Sequence, residues 1–378
     1  MLRNGHAHPQ PFATEAECSL ASQSPMLVVG EPITLQRMRV CITGATGFIG
    51  YQLFSRLVAT GHHVRGLDLI PPEGEQRLPD FVHGDIRDPA AVRHALEGAD
   101  TVFSLAAAHH DFGIDEKTYF AVNEYGSQVL CDELDRLGIR KVCWYSSCAV
   151  YGDCPAPRHE GATPRPNSPY GASKLAGERV LHAWTKKGDG RSALIIRPTI
   201  TFGPQNVANM YSLIRQVASG RFVIAGKASN YKSLSYVENL LDATLFLWQR
   251  GFEGSEIYNF VEKPDLTSRE IAQSVAEALG KRSAGPTVPM PAALALALPF
   301  DVFTAITGRD LGISSMRIRK LFANETRFES DKLASIGFRS SVSVREGIAR
   351  MVQWWQQFGA KAVPKWRQPP AEIKWLSP

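Results

Sequence analysis

The sequence predicts an α/β fold: a doubly wound parallel sheet with a smaller C-terminal substrate domain. Three observations predict it. The apolar run Val40-Cys41-Ile42 leads into glycines at 44, 47 and 50, and helical periodicity follows at Phe48, Ile49, Leu53, Leu57 and Val58. A second strand, His63 to Leu69, carries an acid, Asp68, at its C-terminal end. Strand and helix patterns then alternate from Met38 to about Pro198, which is the signature of βαβ units and of a parallel sheet covered on both faces.

The elements justify this in order. Glycine lets a backbone approach a pyrophosphate closely, and the helix N-terminus adds unpaired N–H groups and partial positive charge. The spacing is G-x-x-G-x-x-G, and glycines alone equally fit a tight turn. Asp68 decides between the two. It stands eighteen residues past Gly50, close to the roughly 20 expected for the acid that binds an adenosine ribose 2′-hydroxyl. A carboxylate there repels a 2′-phosphate, so NAD is expected over NADP in a Rossmann domain. Gly44, Thr46, Gly47, Phe48, Ile49, Gly50 and Asp68 are the candidate cofactor residues of this part. Downstream, Phe81 to His83 reads as a strand, Pro89 to Glu97 as a helix, Thr101 to Ala106 as a strand and Asn123 to Leu137 as a helix. Lys141 to Tyr145 is a strand, Pro169 to Trp184 a long helix and Ser192 to Arg197 a buried strand. Beyond Pro198 the pattern loosens, with one late strand at Ile257 to Phe260.

The expected organisation is a disordered extension over residues 1–37, the NAD-binding domain over 38–200 and a mainly substrate-binding domain over 201–378. Segments near 235–260 return to the first domain. A chain of 378 residues suits one large or two moderate domains. The formal charge of +5 is small for that length, and no run of like charges points to nucleic acid. The six cysteines form no C-x-x-C pair and no zinc spacing, so no metal is expected, and a cytoplasmic protein is. The first 37 residues lack a basic start followed by an apolar core and do not read as a signal peptide. The longest apolar run, near 289–303, is broken by Pro291 and Pro299 and carries Asp301. It is shorter than the ~20 residues a bilayer span needs. It reads as a buried helix or a dimer contact, and no membrane partner is expected.

Two motifs carry chemistry. Tyr170-Gly-Ala-Ser-Lys174 opens the long helix, with Ser168 as N-cap and Pro169 at the first helical position. A spacing of four places Tyr170 and Lys174 on one helical face. A phenol with a pKa near 10 is a poor base at neutral pH, but an adjacent ammonium stabilises phenolate. The same lysine can hold the nicotinamide ribose. Ser147 follows the strand ending at Tyr145, where open α/β sheets bind ligands, and its hydroxyl could hydrogen-bond the substrate oxygen that exchanges a proton. His109 and His110 could face the same pocket as polar wall.

Five stretches occur in order: Thr43-Gly-Ala-Thr-Gly-Phe-Ile-Gly50, Gly84-Asp-Ile-Arg-Asp88, Ser146-Ser-Cys-Ala-Val-Tyr-Gly152, Ser168-Pro-Tyr-Gly-Ala-Ser-Lys174 and Arg197-Pro-Thr-Ile-Thr-Phe-Gly-Pro204. Together they resemble the extended short-chain dehydrogenase/reductases, specifically the NAD-dependent epimerase/dehydratase family acting on nucleotide sugars. The resemblance implies that Ser147, Tyr170 and Lys174 are catalytic. It implies that Asp85 and Ile86 contact adenine, that Leu105, Ala106 and Ala107 line the cofactor, that Asn123 organises active-site water and backbone, and that Pro198 sits against the nicotinamide. Ser147 would also bind substrate, and Lys232 would clamp its diphosphate. The 4,6-dehydratases place Asp and Glu directly after the catalytic hydroxyl residue, where this chain has Cys148 and Ala149. Enzymes that epimerise beside a keto group carry a cysteine two residues after the serine, whereas Cys148 is one after, so its side chain should point elsewhere. The expectation is therefore a C4 epimerase of a nucleotide sugar, acting as a homodimer. An NAD(P)-dependent keto-sugar reductase or hydroxysteroid-type dehydrogenase is the alternative, and a non-catalytic NAD(P)-binding regulator stands last.

Overall fold

The computed structural model describes residues 37–74, 76–109, 114–152, 158–307 and 314–361. Its first half is built by strands, most of them buried and apolar, that alternate with helices. Strand β1 (Arg39–Thr43) buries Val40, Cys41 and Ile42 and passes through the glycine turn into α1 (Phe48–Ala59). Strands β2 (His63–Asp68) and β3 (Phe81–His83) follow, then α2 (Pro89–Leu96), started by Pro89 and by Asp88, whose carboxylate accepts from the Ala90 N–H. After β4 (Thr101–Ser104), a short helix (Glu116–Phe120) and one π-helical turn (Ala121–Tyr125) lead into α3 (Gly126–Leu137). Strand β5 (Lys141–Tyr145) precedes α4 (Pro169–Lys186), which Ser168 caps by accepting from the Gly171 N–H at 3.2 Å. Strand β6 (Ser192–Pro198) is buried along its whole length.

Later in the chain come α5 (Asn209–Ala218), α6 (Val237–Arg250), strand β7 (Ser255–Phe260), α7 (Ser268–Ala278), α8 (Met290–Thr307), α9 (Ser315–Phe322) and α10 (Val344–Gln357). The seven strands form one sheet in the order β7-β6-β5-β4-β1-β2-β3, every pair parallel. Because β1 lies between β2 and β4, the winding reverses there. That opens a crevice at the carboxyl edge, where such sheets bind ligands. One sheet face packs on α1 and α6 through Leu53, Phe54, Leu240 and Leu247, the other on α2, α3 and α4 through Val92, Leu130 and Leu181.

A third core is made only of residues beyond 200, among them Phe202, Ile214, Phe222, Tyr236, Val275 and Met351. Around it run short strand pairs, residues 200–202 with 234–236, 224–225 with 287–288 and 231–232 with 266–267. Residues 37–361 nevertheless belong to one compact unit. Within it α6 covers the sheet, β7 extends it beside β6, and Leu333 and Phe338 also pack onto its core.

Two local differences from the sequence reading have physical causes. The strand expected to reach Ala106 stops at Ser104, because Leu105 and Ala106 bend against Gly44. Gly44 has φ +72°, and a Cβ there would lie 2.7 Å from the Ala106 nitrogen. The apolar helix α8 is not buried: only Ala293 and Ala297 turn inward, and Leu296, Leu298, Val302 and Ile306 stand exposed.

A Cβ on Gly50 would fall 2.0 Å from the Gly44 carbonyl oxygen, so Gly50→Val must open the turn. We expect that variant to lose about 1–3 kcal/mol of stability, read by urea unfolding, and to bind NAD at least about tenfold more weakly, read by isothermal titration.

Candidate active site

The site begins at the glycine turn. The Gly44 N–H donates to Leu67 O at 2.8 Å and the Gly47 N–H to Gly44 O at 3.0 Å, which folds the chain tightly over the ends of β1 and β2. Gly47 is the N-cap of α1 and offers no side-chain cap, so the first amides of Phe48 and Ile49 face an anion position at the helix start. Asp68 closes the turn from the side: it is buried, and its carboxylate accepts from the Thr46 and Ile70 N–H groups, each at 3.0 Å. Its two oxygens lie at the carboxyl end of β2, beside the glycine turn. The turn and this acid fit the pyrophosphate and adenosine ribose of NAD.

The next wall is the segment after β4. Leu105, Ala106 and Ala107 are half-buried and held by Thr43, whose carbonyl accepts from the Leu105 N–H at 2.9 Å and whose hydroxyl accepts from the Ala106 N–H at 3.2 Å. Asn123 fixes the continuation. It is buried; its Oδ1 accepts from the Ala108 N–H and its Nδ2 donates to Ala108 O, both at 3.0 Å. The same Nδ2 donates to Ser173 Oγ at 2.9 Å, and Ser173 donates to Tyr170 O at 2.9 Å. Asn123 thus ties the cofactor wall to the start of α4. It does so from the π-helical turn, a geometry that recurs at functional sites. His109 is exposed, with its ring 3.3 Å from Ala107 O, and His110 lies outside the described residues.

Ser147 follows β5 and caps the 3₁₀ turn Cys148–Tyr151, accepting from the Ala149 N–H at 3.1 Å. That turn presses on the first turn of α4: a Cβ on Gly171 would lie 2.4 Å from Ala149 O. Ser147 and Tyr170 are therefore brought to one end of the sheet. Tyr170 is half-buried, its ring centroid 6.3 Å from that of Tyr119. One turn along the same face, Lys174 is fully buried. Its Nζ donates to Tyr145 O at 2.8 Å and lies 4.5 Å from the centre of the Trp144 ring. Burial pulls its pKa down to about 7, against the nearby Glu178 charge, which raises it. Cys148 points away from this end, with its Sγ donating to Arg197 O at 3.2 Å, and burial raises its thiol pKa beyond any titration near neutral pH. Pro198, buried, ends β6 at the same edge.

Three other predicted positions are engaged in the protein itself. The Asp85 carboxylate receives Arg87 Nε at 3.0 Å and Nη2 at 2.7 Å. Ile86 is buried against Gly126. Lys232 is buried, and its Nζ donates to the carbonyls of Lys320 at 2.8 Å and Asn324 at 2.6 Å, so the ammonium braces the end of α9. Burial lowers its pKa to about 8. A neighbouring cleft of about 580 Å³ contains Lys263, Arg327 and Arg345, but Asp265, Glu270 and Glu329 pair with them. It presents balanced charge rather than a diphosphate clamp.

Sequence reasoning missed the layer beneath α4. Glu178 accepts from Ser146 Oγ and from Arg197 Nε at 2.7 Å. Arg197 Nη1 donates to the Tyr151 hydroxyl at 2.7 Å, which donates to Asn259 Oδ1 at 2.8 Å. All five residues are buried. The available signal was the spacing of Glu178, four residues after Lys174, beside Tyr151 and Arg197 in two of the quoted motifs.

Residues 40–260 match the model of the NAD dependent epimerase/dehydratase family. The chain belongs to that family. It is an NAD-dependent enzyme of the epimerase/dehydratase group. It is 34% identical over 320 residues to the N-acetyl-alpha-D-glucosaminyl-diphospho-ditrans,octacis-undecaprenol 4-epimerase of Escherichia coli O157:H7, covering 83% of this chain and 94% of that protein. It is 30% identical over 272 residues to a 3 beta-hydroxysteroid dehydrogenase/Delta 5-->4-isomerase of Mycobacterium tuberculosis, covering 66% of this chain and 72% of that protein. Among solved structures it resembles MoeE5 in complex with UDP-glucuronic acid and NAD, with a TM-score of 0.67 and 25% identity, over 84% of this chain and 99% of that one. Among the described residues of this family member, no cluster of His, Cys, Asp and Glu could hold a metal.

Two outcomes follow. Lys174 has a folded pKa of about 7 against an ordinary 10.5. Between those values the unfolded chain holds a proton that the folded chain has released, so this group makes stability rise with pH across that window. Below it the cost of burying the ammonium is present in full. Relative to Lys174→Met, the wild type should gain stability in urea unfolding as pH rises from about 7 toward 10.5; a flat difference would remove the titration. Glu178→Gln leaves Arg197 buried without its counter-charge and should cost about 3–5 kcal/mol in the same measurement.

Proposed function

We propose that this enzyme is a 4-epimerase of a diphosphate-linked sugar, with a nucleotide sugar as its first substrate class. The carrying observation is the set Ser147, Tyr170 and Lys174 at the carboxyl edge of the sheet, followed by a buried Cys148 and an inert Ala149. An elimination of water requires an acid and a base beside the sugar. Alanine supplies neither, and a thiol held on Arg197 O is withdrawn from the site.

The residues divide the work as follows. Tyr170 removes the proton from the C4 hydroxyl and later returns it, acting as general base and then general acid. In its protonated form Lys174 stabilises the phenolate through the field of its ammonium, and its anchor on Tyr145 O keeps it one turn below the phenol. Ser147 hydrogen-bonds the same sugar oxygen and keeps it oriented while its carbon is planar. NAD, when bound, supplies the hydride acceptor and donor. Asp68 and the glycine turn hold its adenosine and pyrophosphate ends. Inversion at C4 further requires that the keto sugar turn over before the proton and hydride return, so its diphosphate end must be anchored more firmly than its ring. The name of the E. coli relative supports C4 as the reacting carbon and a sugar diphosphate as the substrate class.

The mycobacterial relative supports a second reading, simple oxidation of a secondary alcohol, which needs the same three residues. Incubation with UDP-N-acetylglucosamine, followed by proton NMR, separates the two. Appearance of the C4 isomer with no net reduced nicotinamide is the expected result; stoichiometric reduced nicotinamide without an isomer assigns the dehydrogenase. Tyr170→Phe should lower kcat by about a hundredfold or more with NAD affinity unchanged, and full turnover by that variant would exclude Tyr170 as the base.

A further inference from the structure

Helix α8 is built the wrong way round for a water-exposed helix. Its sequence, Met-Pro-Ala-Ala-Leu-Ala-Leu-Ala-Leu-Pro-Phe-Asp-Val-Phe-Thr-Ala-Ile-Thr, has one ionisable residue. That residue, Asp301, accepts from the Ser315 N–H at 3.1 Å and so caps α9. The side chains packed into the protein are the small Ala293 and Ala297, while Leu296 is 69% exposed, Leu298 57%, Val302 56% and Ile306 79%. Met316 and Leu321 on α9 continue the surface. Seven of the thirteen exposed large apolar side chains among the described residues fall between Leu296 and Leu321. Such a concentration on a soluble protein marks a contact surface.

We propose that this α8–α9 face lies on an anionic phospholipid surface. The charge around it selects that occupant. Arg319 and Lys320 are exposed on α9 next to the apolar patch and Arg317 is half-exposed, and α9 carries no acid. Apolar side chains flanked by cations are the pattern of helices that lie in the headgroup boundary of acidic lipid.

The helix lies on the surface rather than crossing it. At 18 residues it is about 27 Å long, a little short of the ~30 Å hydrocarbon core. Its Ala293 and Ala297 face is already bonded into the protein, and Pro299 interrupts its middle. The face is also joined to the substrate lobe. Phe322 packs 6.0 Å from Phe222, and the α9 carbonyls of Lys320 and Leu321 receive Lys232 Nζ, Asn230 Nδ2 and Ser268 Oγ. Resting on the 4-epimerase reading, this seat would bring the site to diphosphate sugars carried on a membrane lipid.

The test is co-sedimentation of the full chain with vesicles of phosphatidylcholine alone and of equal parts phosphatidylcholine and phosphatidylglycerol. The wild type should pellet with the acidic vesicles and far less with the neutral ones. Leu296→Glu with Ile306→Glu should reduce binding by about tenfold or more. Arg319→Ala and Lys320→Ala should each reduce it by about fivefold. An unchanged thermal midpoint with NAD shows each variant folded, so the lipid result stands whether or not any sugar is turned over. Failure of the wild type to bind acidic vesicles, or binding that the Glu pair leaves unchanged, overturns the proposal. A dimer in sedimentation velocity that the Glu pair splits, without vesicle binding, also overturns it and gives the face to a second copy of the chain.

Discussion

The structure depends on one buried ion pair, Glu178 on α4 with Arg197 on β6. Two charges in a low-dielectric interior are costly to desolvate, and only a full set of hydrogen bonds offsets the cost. Here the set is complete enough to fix geometry. The Glu178 carboxylate takes Ser146 and two nitrogens of Arg197, and Arg197 also reaches Tyr151. Ser146 precedes Ser147, Glu178 stands one turn beyond Lys174, and Tyr151 ends the turn that Ser147 caps. The strand, the helix and the turn that carry Ser147, Tyr170 and Lys174 are thus registered against each other by a single charged cluster. It contains none of those side chains.

The cofactor edge is organised by a different device. Asn123 spends both ends of its amide on the backbone of Ala108 and on Ser173, so the wall after β4 and the first turn of α4 move as one piece. Asn123 makes these contacts from within the π-helical turn. Lys174 then completes the link to β5 through Tyr145 O. Sheet, π turn and α4 form a closed loop of contacts around the Tyr170 phenol.

Much of this was legible in the sequence wherever one residue type answers one local demand. Glycines at 44 and 50, the acid at 68, the Ser168-Pro169 helix start and the four-residue step from Tyr170 to Lys174 are each specified within a few positions of one another. Strands β1 to β6 were legible for the same reason, since each is a short apolar run bounded by turn residues. Three things were not. The Glu178–Arg197–Tyr151 cluster depends on residues 19 to 46 positions apart meeting in space, and no local pattern encodes that (Glu178 to Arg197, Tyr151 to Arg197). The carbonyls that claim Lys232 come from the end of α9 and the turn after it, some 90 residues later, so the basic residue alone read as a phosphate ligand. The exposure of α8 inverted the ordinary rule that apolar helices are core, because its small residues rather than its large ones fill the space against the lobe.

Asp68 carries a double duty with a practical consequence. Its carboxylate is the candidate partner of an adenosine ribose, and it also receives the amides of Thr46 and Ile70, stitching the glycine turn to the end of β2. The candidate for coenzyme choice and the clasp of the glycine turn are therefore one side chain. An engineer who neutralises that acid to admit a phosphorylated coenzyme also cuts two of the threads that hold the loop closed, and must supply new acceptors for both amides in the same redesign.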